Sequence, residues 1–425
     1  MIVLHRPLAS ALFFTALLAF APLQGGCSGG PSGSEGSGAT ETATSMSIQG
    51  TTGTTGTTGT TGTTVSATDS TGTETGGLGI DYDAKGPHPV ANDRFVLNVG
   101  DRELLVEVWY PAAASAAEEA AKGHPIEDFV PLGPDRDTFE ALLADLSPAG
   151  ELGTRKQTSS AFGAPAAAGP WPVLVFSHCH ECVRFSAFSM AEHLASHGFI
   201  VAAPDHTGNT IFDPGALLSD SFLMTRVGDL SAVLDALLSD AAELPSALKG
   251  LSNPVKVGAF GHSYGAATVG RLAQEDPRIL AAMPIAAPIE NPIFSGTHVA
   301  DIQRPLLFVH ADEDNSIQAL GNTLIELNFK GANTPAWLLK VHDAGHWNFT
   351  DICGLTDSFA AGCGDGLRQT MPGEPFDYLE IEVARRLAGA YALAFFDLHI
   401  RENPDAAAYL ATSEPAEWVE ISVRE

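Results

Sequence analysis

Basic residues are scarce in this chain of 425 residues. It has 22 Lys and Arg against 51 Asp and Glu, giving a formal net charge of −29 at pH 7. Because binding to phosphate backbones relies on clusters of Lys and Arg, this balance argues against a nucleic-acid partner. Apolar residues make up 44% of the chain and aromatic residues 8%, which is enough for a folded core and excludes full disorder or a fibrous architecture.

Long apolar runs are also missing after the N-terminus, where no segment approaches the ~20 residues of a membrane-spanning helix. The N-terminus itself has Arg6, an apolar run at 12–20 and small residues before Cys27. This pattern predicts an export signal over residues 1–27. Residues 23–27 (LQGGC) are similar to a bacterial lipoprotein box, so we expect a lipid on Cys27 that anchors the protein at the cell envelope. Simple cleavage and secretion is the alternative.

Apolar side chains are nearly absent from residues 28–79. Gly, Ser and Thr dominate this segment, and four consecutive Thr-Thr-Gly units occupy residues 51–62. Such a sequence cannot bury enough surface to offset the entropy lost on ordering. We therefore predict a disordered tether followed by one folded domain over residues 80–425.

In residues 80–425, runs rich in Val, Ile, Leu and Phe alternate with amphipathic stretches of helical length. This alternation predicts an α/β fold, a mostly parallel sheet with helices on both faces. Gly100 and Asp101 lie between two strand-like runs and predict a hairpin. The Ala-rich stretch 112–169 is interpreted as an insertion with one helix. The predicted strands are 95–99, 104–110, 173–177, 199–203, 255–260, 279–286, 305–310 and 336–341, and the predicted helices are 137–146, 185–197, 222–244, 264–275 and 378–400.

The motif Gly261-His262-Ser263-Tyr264-Gly265 lies where a short buried strand gives way to a helix. In that context, a GxSxG motif predicts a serine nucleophile on a strained turn, with glycines where side chains would collide with neighbouring backbone. The N-terminus of the helix favours negative charge on a nearby oxyanion. Ser263 is therefore the candidate nucleophile.

A serine hydroxyl needs a general base and an acid that orients the base, and in this strand-turn-helix arrangement both follow the serine in chain order. The strand at 305–310 is followed by three carboxylates, Asp312, Glu313 and Asp314. Asp314 is the preferred acid because it stands three residues after Ala311, which occupies the usual glycine position of the turn; Asp312 is its main rival. His346 follows the last predicted strand and is the candidate base.

Two main-chain N–H groups are expected to bind the oxyanion. One belongs to Tyr264, directly after the nucleophile, and the other to His180, in the loop after the strand at 173–177.

Five cysteines are present, and four of them fall in the predicted folded domain. In an exported protein they are expected to form disulfides. We favour Cys353 with Cys363 and Cys179 with Cys182, and cross-pairing between the two loops is the alternative. A metal site built from His178, Cys179, His180 and Cys182 is less favoured, because adjacent side chains cannot all converge on one ion.

These motifs, with Val175-Phe176-Ser177-His178, the stretch 194–206 (LASHGFIVAAPDH) and Gly345-His346-Trp347-Asn348-Phe349, resemble the bacterial predicted dienelactone hydrolases and the secreted platelet-activating-factor acetylhydrolases. The resemblance covers residues 171–353. It implies an α/β-hydrolase fold, a serine esterase without a cofactor, Ser263 as nucleophile and His346 as base. Cys179 departs from the usual His-Gly of the oxyanion loop. The acetylhydrolases carry their acid one strand earlier, where residues 285–288 offer none, which favours Asp314.

The sequence thus predicts an exported serine esterase acting on short-chain or lipid-derived esters. Similar secreted folds cleave polyesters, so Trp347 is expected either to form part of an aromatic substrate-binding surface or to pack in the core. Dienelactone or polyester cleavage is the alternative activity. A catalytically silent surface-binding module, presented by the tether, is the alternative of another class.

Overall fold

A ten-stranded mixed sheet forms the centre of the part of the chain that the computed structural model describes, residues 80–215 and 217–425. In chain order, the strands of the described residues are β1 (Val90–Val99), β2 (Arg102–Pro111), β3 (Ser160–Phe162), β4 (Trp171–Ser177), β5 (Ile200–Pro204), β6 (Ser252–His262), β7 (Ile279–Ile285), β8 (Leu306–Ala311), β9 (Ala336–Val341), β10 (Asp365–Leu367), β11 (Pro375–Asp377) and β12 (Val419–Arg424). The sheet order is β12-β9-β8-β7-β6-β4-β5-β2-β1-β3, and β10 pairs with β11 in a separate ribbon.

Six neighbouring strands, from β9 to β5 in that order, are parallel. β2 pairs antiparallel with β5 and with β1, and β12 pairs antiparallel with β9 at the opposite end. The helices are α1 (Ala117–Lys122), α2 (Pro134–Ala144), α3 (Pro148–Gly153), α4 (Phe188–Ser196), α5 (Asp220–Leu238), α6 (Tyr264–Glu275), α7 (Gln318–Gly331), α8 (Ile381–His399) and α9 (Ala406–Leu410).

The central strands are buried on both faces, as the continuous apolar runs predict. In β4, for example, Leu174 and Phe176 enter one hydrophobic cluster while Val173 and Val175 enter another. Side chains of α4 and α8 complete the first cluster, and those of α5, α6 and α7 complete the second. The predicted fold class, a mostly parallel sheet between two layers of helices, is confirmed.

Several predicted boundaries needed correction. The helix predicted over 222–244 is α5, which ends at Leu238, and Asp240 then takes a left-handed φ of 54° that reverses the chain. The antiparallel strand β12 was not predicted at all. It pairs with β9 in register from Val419 opposite Val341 to Arg424 opposite Ala336.

The predicted insertion, residues 112–169, holds three short helices and β3 rather than one helix. Its β3 extends the sheet by pairing in parallel with β1. The buried carboxylate of Glu192 on α4 ties this segment to the core, because its Oε1 accepts hydrogen bonds from the Ser159 N–H (2.7 Å) and the Ser160 hydroxyl (2.8 Å).

The predicted export signal (1–27), the candidate lipidation site Cys27 and the predicted tether (28–79) lie outside the described residues. Among the helices of the described residues, none combines the length and apolar character needed to cross a membrane.

Candidate active site

Ser263 lies in the sharp turn between β6 and α6. Its φ of 56° and ψ of −117° form a conformation that residues with side chains rarely adopt. The two motif glycines make the turn sterically feasible: a Cβ on Gly261 would lie 2.3 Å from the carbonyl oxygen of Gly265, and a Cβ on Gly265 would lie 1.8 Å from that of Ser177. Ser263 is partly exposed while both of its chain neighbours are buried. The turn therefore presents one hydroxyl at the carboxyl edge of the sheet.

His346 and Asp314 meet in the loops after β9 and β8. The Nδ1 of His346 lies 2.7 Å from Oδ2 of Asp314, and the two residues are 1% and 0% exposed. The other carboxylate oxygen of Asp314 accepts the main-chain N–H groups of Ser316 and Ile317, both at 2.9 Å. Because Nδ1 faces a carboxylate, it carries the ring proton, and Nε2 is left as the proton acceptor. This tautomer is the one a general base for a hydroxyl requires.

The other two carboxylates of this loop turn elsewhere. Oδ2 of Asp312 lies 2.6 Å from Nδ1 of His342, and its Oδ1 lies 3.2 Å from Nδ1 of His310. Glu313 accepts from Nε of Arg368 (2.8 Å) and from the N–H of Thr370 (2.8 Å). Of the three acids considered from the sequence, Asp314 is the one brought to His346.

His262 contacts both the main chain and the ring of His346 from the nucleophile turn. The pKa of His262 lies well below its usual range because the ring is buried, so the ring is neutral, and its Nε2 donates to the carbonyl oxygen of His346 at 2.9 Å. The two ring centroids are 4.7 Å apart. In the described part of the chain, Ser263 Oγ makes no hydrogen bond to His346. Such contacts are often long in ligand-free sites and tighten when substrate binds.

Trp347 is 7% exposed and packs mainly into the core. Its ring centroid lies 4.8 Å from that of His346 and 4.6 Å from that of Phe359. Phe359 belongs to the loop that the disulfide between Cys353 and Cys363 closes. Of the two roles considered for Trp347, this environment favours packing behind the imidazole.

The loop that follows β4 packs directly on the nucleophile turn. The two segments are so close that a Cβ on Gly265 would lie 1.8 Å from the carbonyl oxygen of Ser177, where β4 ends. A second disulfide joins Cys179 to Cys182 within this loop, so both expected disulfides are present. The sulfur atoms of Cys179 and Cys182 are bonded to each other and are not free thiols that could bind a metal. The main-chain N–H groups of His180 and Tyr264 donate to no protein acceptor in residues 80–215 and 217–425. Their side-chain rings are 6.1 Å apart. The N–H of Tyr264 directly follows Ser263, and that of His180 belongs to the loop that packs on the same turn.

A second Ser-His-Asp arrangement lies beneath this loop and was not predicted. Nε2 of His206 is 3.0 Å from Ser177 Oγ, and its Nδ1 is 2.9 Å from Oδ2 of Asp229. All three residues are fully buried. Burial lowers the pKa of His206 to about 4, so the neutral ring donates to Asp229 and accepts from Ser177. Since no substrate can reach these atoms, the arrangement supports the loop.

Comparison with known proteins adds a family context. The model of the dienelactone hydrolase family matches residues 159–351, and that of platelet-activating factor acetylhydrolase, isoform II, matches residues 81–212. The structure is similar to the ferulic acid esterase from Streptomyces cinnamoneus, with a TM-score of 0.58 and 22% identity over 80% of this chain and 97% of that chain. This chain has the α/β-hydrolase fold. The predicted fold is thereby confirmed.

Curated relatives include an acetylhydrolase and cutinases. The hydrolase is 25% identical to platelet-activating factor acetylhydrolase of Cavia porcellus over 312 residues, 63% of this chain and 68% of the relative. It is 28% identical to a cutinase of Thermobifida alba over 158 residues and to a cutinase of Thermobifida fusca over 212 residues, spanning 47% and 58% of their lengths. The hydrolase thus spans about half the length of these cutinases. Together, the family models and relatives support a carboxylic-ester hydrolase.

Proposed function

We propose that the chain is an exported serine esterase that cleaves carboxylic esters through an acyl-enzyme. The observation that carries the proposal is the strained, partly exposed Ser263 next to the buried pair of His346 and Asp314, beside two unused N–H groups. A hydroxyl, an oriented base and oxyanion donors are the three parts that acyl transfer requires.

In the proposed reaction, Ser263 Oγ attacks the ester carbonyl carbon while His346 Nε2 takes the hydroxyl proton. Asp314 keeps the ring in the required tautomer and stabilises the imidazolium. The N–H groups of Tyr264 and His180 bind the tetrahedral oxyanion. The imidazolium then protonates the leaving alcohol. Water, deprotonated by His346, attacks the acyl carbon. The bond from this carbon to Ser263 Oγ then breaks, Oγ takes the proton back from the imidazolium, and the acid is released. Every step uses groups of this chain, so the proposal needs no cofactor.

We propose short-chain or lipid-derived esters as the substrate class, supported by the similarity to platelet-activating factor acetylhydrolase. Polyester cleavage is the second candidate, and the similarity to the two cutinases supports it. The proposed organisation is a catalytic domain over 80–425, with the insertion at 112–169, held at the cell envelope by a lipid on Cys27 and the tether 28–79. Two disulfides fit such an oxidising location.

The decisive experiment is hydrolysis of p-nitrophenyl esters from acetate to palmitate by the wild type and by Ser263→Ala, together with fluorophosphonate labelling. We expect activity and labelling in the wild type and a loss of at least about 10³-fold in the variant, with an unchanged far-UV spectrum. The chain-length profile separates a small acyl pocket from a lipase-like groove, and release of soluble products from a polyester film tests the second candidate. A wild type that neither hydrolyses nor becomes labelled would indicate a silent binding module.

A further inference from the structure

Arg226 on α5 is completely buried next to the site, and its charge has no carboxylate partner among the described residues. Asp229, one turn further along the helix, is already engaged by Arg102 and His206. Burial lowers the pKa of Arg226 to about 9, which leaves the guanidinium protonated at neutral pH. A buried cation that no carboxylate contacts directly is unfavourable in a folded protein unless other groups stabilise it. Its position therefore calls for an explanation.

One side of the guanidinium holds the oxyanion loop. Nη2 donates to the carbonyl oxygen of His178 and, at 3.0 Å, to Ser177 Oγ. Nη1 donates to Oδ1 of Asn209 at 2.7 Å. The amide of Asn209 is thereby oriented, and its Nδ2 donates to Nδ1 of His180 at 2.8 Å. Arg226 thus fixes the peptide that leads into the loop as well as the side chain of His180.

The other side of Arg226 holds the nucleophile turn. Nε donates to Thr268 Oγ1 at 3.1 Å, and this hydroxyl donates to the carbonyl oxygen of Tyr264 at 3.0 Å. The guanidinium carbon also lies 4.4 Å from the centroid of the Tyr264 ring, a cation–π contact. The same side chain therefore contacts both segments whose main-chain N–H groups are the candidate oxyanion donors.

We propose that Arg226 is a positioning residue for transition-state stabilisation. It clamps the loop of His180 and the turn of Tyr264 to one another, and its unpaired charge favours the negative charge that develops on the oxyanion between them. A low-dielectric site strengthens such an interaction, and the oxyanion adds a negative charge in the transition state to a guanidinium that forms no direct ion pair in the ground state. This inference rests on the proposed esterase function.

The test compares Arg226→Lys, which keeps the charge but loses the planar fork, with Arg226→Met, which removes both. Arg401→Lys is the matched control. Like Arg226, Arg401 donates to main-chain oxygens and lies over an aromatic ring, with its guanidinium carbon 4.0 Å from the centroid of Phe199. Phe199 lies just before β5 begins, at the opposite edge of the sheet from the candidate site. For each protein, kcat and KM are measured on the best p-nitrophenyl ester. The inhibition constant of an alkyl trifluoromethyl ketone is also measured, because its adduct with serine carries a tetrahedral oxyanion.

We expect kcat to fall about 10-fold in Arg226→Lys and about 100-fold in Arg226→Met, with KM within about threefold of the wild type. The inhibition constant should rise in proportion to the loss in kcat, whereas the control changes neither. A purely structural role predicts a lower Tm with an unchanged inhibition constant, and that result in folded Arg226→Lys would overturn the inference even if Arg226→Met failed to fold. Wild-type kcat in Arg226→Met would also overturn it. If the wild type itself lacks hydrolysis and fluorophosphonate labelling, the proposed function fails, and the inference fails with it.

Discussion

Glu192 makes the stability of the hydrolase depend on pH in a direction opposite to that of most carboxylates. It is 6% exposed, and burial raises its pKa from 4.5 to about 7, although hydrogen bonds from Ser159 and Ser160 act against this shift. The folded state therefore holds the Glu192 proton more tightly than the unfolded state does. By linkage, this group contributes most to stability below about pH 4.5, and its contribution is lost as the pH rises to about 7.

The magnitude follows from the shift. A pKa raised by about 2.5 units corresponds to about 3 kcal/mol in the free energy of unfolding, at about 1.4 kcal/mol per unit. Glu192→Gln removes the ionisation and keeps an oxygen that accepts from Ser159 and Ser160. We expect this variant to be about 3 kcal/mol more stable than the wild type at pH 8 and to differ little from it at pH 4.5.

The assay is equilibrium unfolding in urea at half-unit steps between pH 4.5 and 8, analysed as the difference between variant and wild type. Buried carboxylates that do not interact with Glu192 cancel in this difference, whereas Asp351, whose charge helps to raise the pKa of Glu192, contributes to it. Glu243→Gln serves as a control because Glu243 is exposed, and it should show no pH-dependent difference. A Glu192→Gln difference that stays constant from pH 4.5 to 8 would refute the assignment of a buried, protonated carboxyl.

Two further predictions address the site and the location. Asp314→Asn should lower kcat by about 10³-fold because it disturbs the tautomer of the base, while Asp312→Asn should stay within about threefold of the wild type; the reverse order in ester hydrolysis would make Asp312 the acid. Cys27→Ala should abolish metabolic incorporation of an alkyne fatty acid and release the protein from the membrane fraction. Equal incorporation in both proteins would contradict lipidation at this residue.

Sequence patterns predicted the elements that position the site better than those at the margins. The helix α6 (Tyr264–Glu275) and the strand β9 (Ala336–Val341) have the predicted bounds, because α6 begins directly after the GxSxG turn and β9 is a largely buried apolar run. The end of α5 was missed because apolar residues continue past Leu238. One of them, Leu244, is buried as a helical residue would be, but it lies in a turn after the helix. β12 was missed because a short strand depends on a distant partner, which no local pattern specifies.

Some residues of the candidate site could be predicted from the sequence, and others could not. Ser263 and His346 follow from a motif and a chain order, so the sequence could indicate them. The choice between Asp312 and Asp314 depends on which carboxylate turns toward the imidazole, and three adjacent acids look alike in sequence. Arg226 gave no signal at all: a polar residue in an amphipathic helix is expected at the surface, and its partners come from distant segments.

The two Ser-His-Asp arrangements show why hydrogen-bond geometry alone does not identify a catalytic serine. In the buried arrangement, Ser177 lies 3.0 Å from the imidazole of His206, while Ser263 makes no hydrogen bond to His346. Ser177 also accepts from Arg226 and is fully buried, so no carbonyl carbon can approach it. Ser263 has the strained backbone, the partial exposure and the neighbouring free N–H groups that an attack requires. The buried arrangement of Ser177, His206 and Asp229 is therefore the more completely hydrogen-bonded one, because the buried polar groups that support a rigid oxyanion loop must be satisfied. A nucleophile, in contrast, must keep its bonding capacity for the substrate.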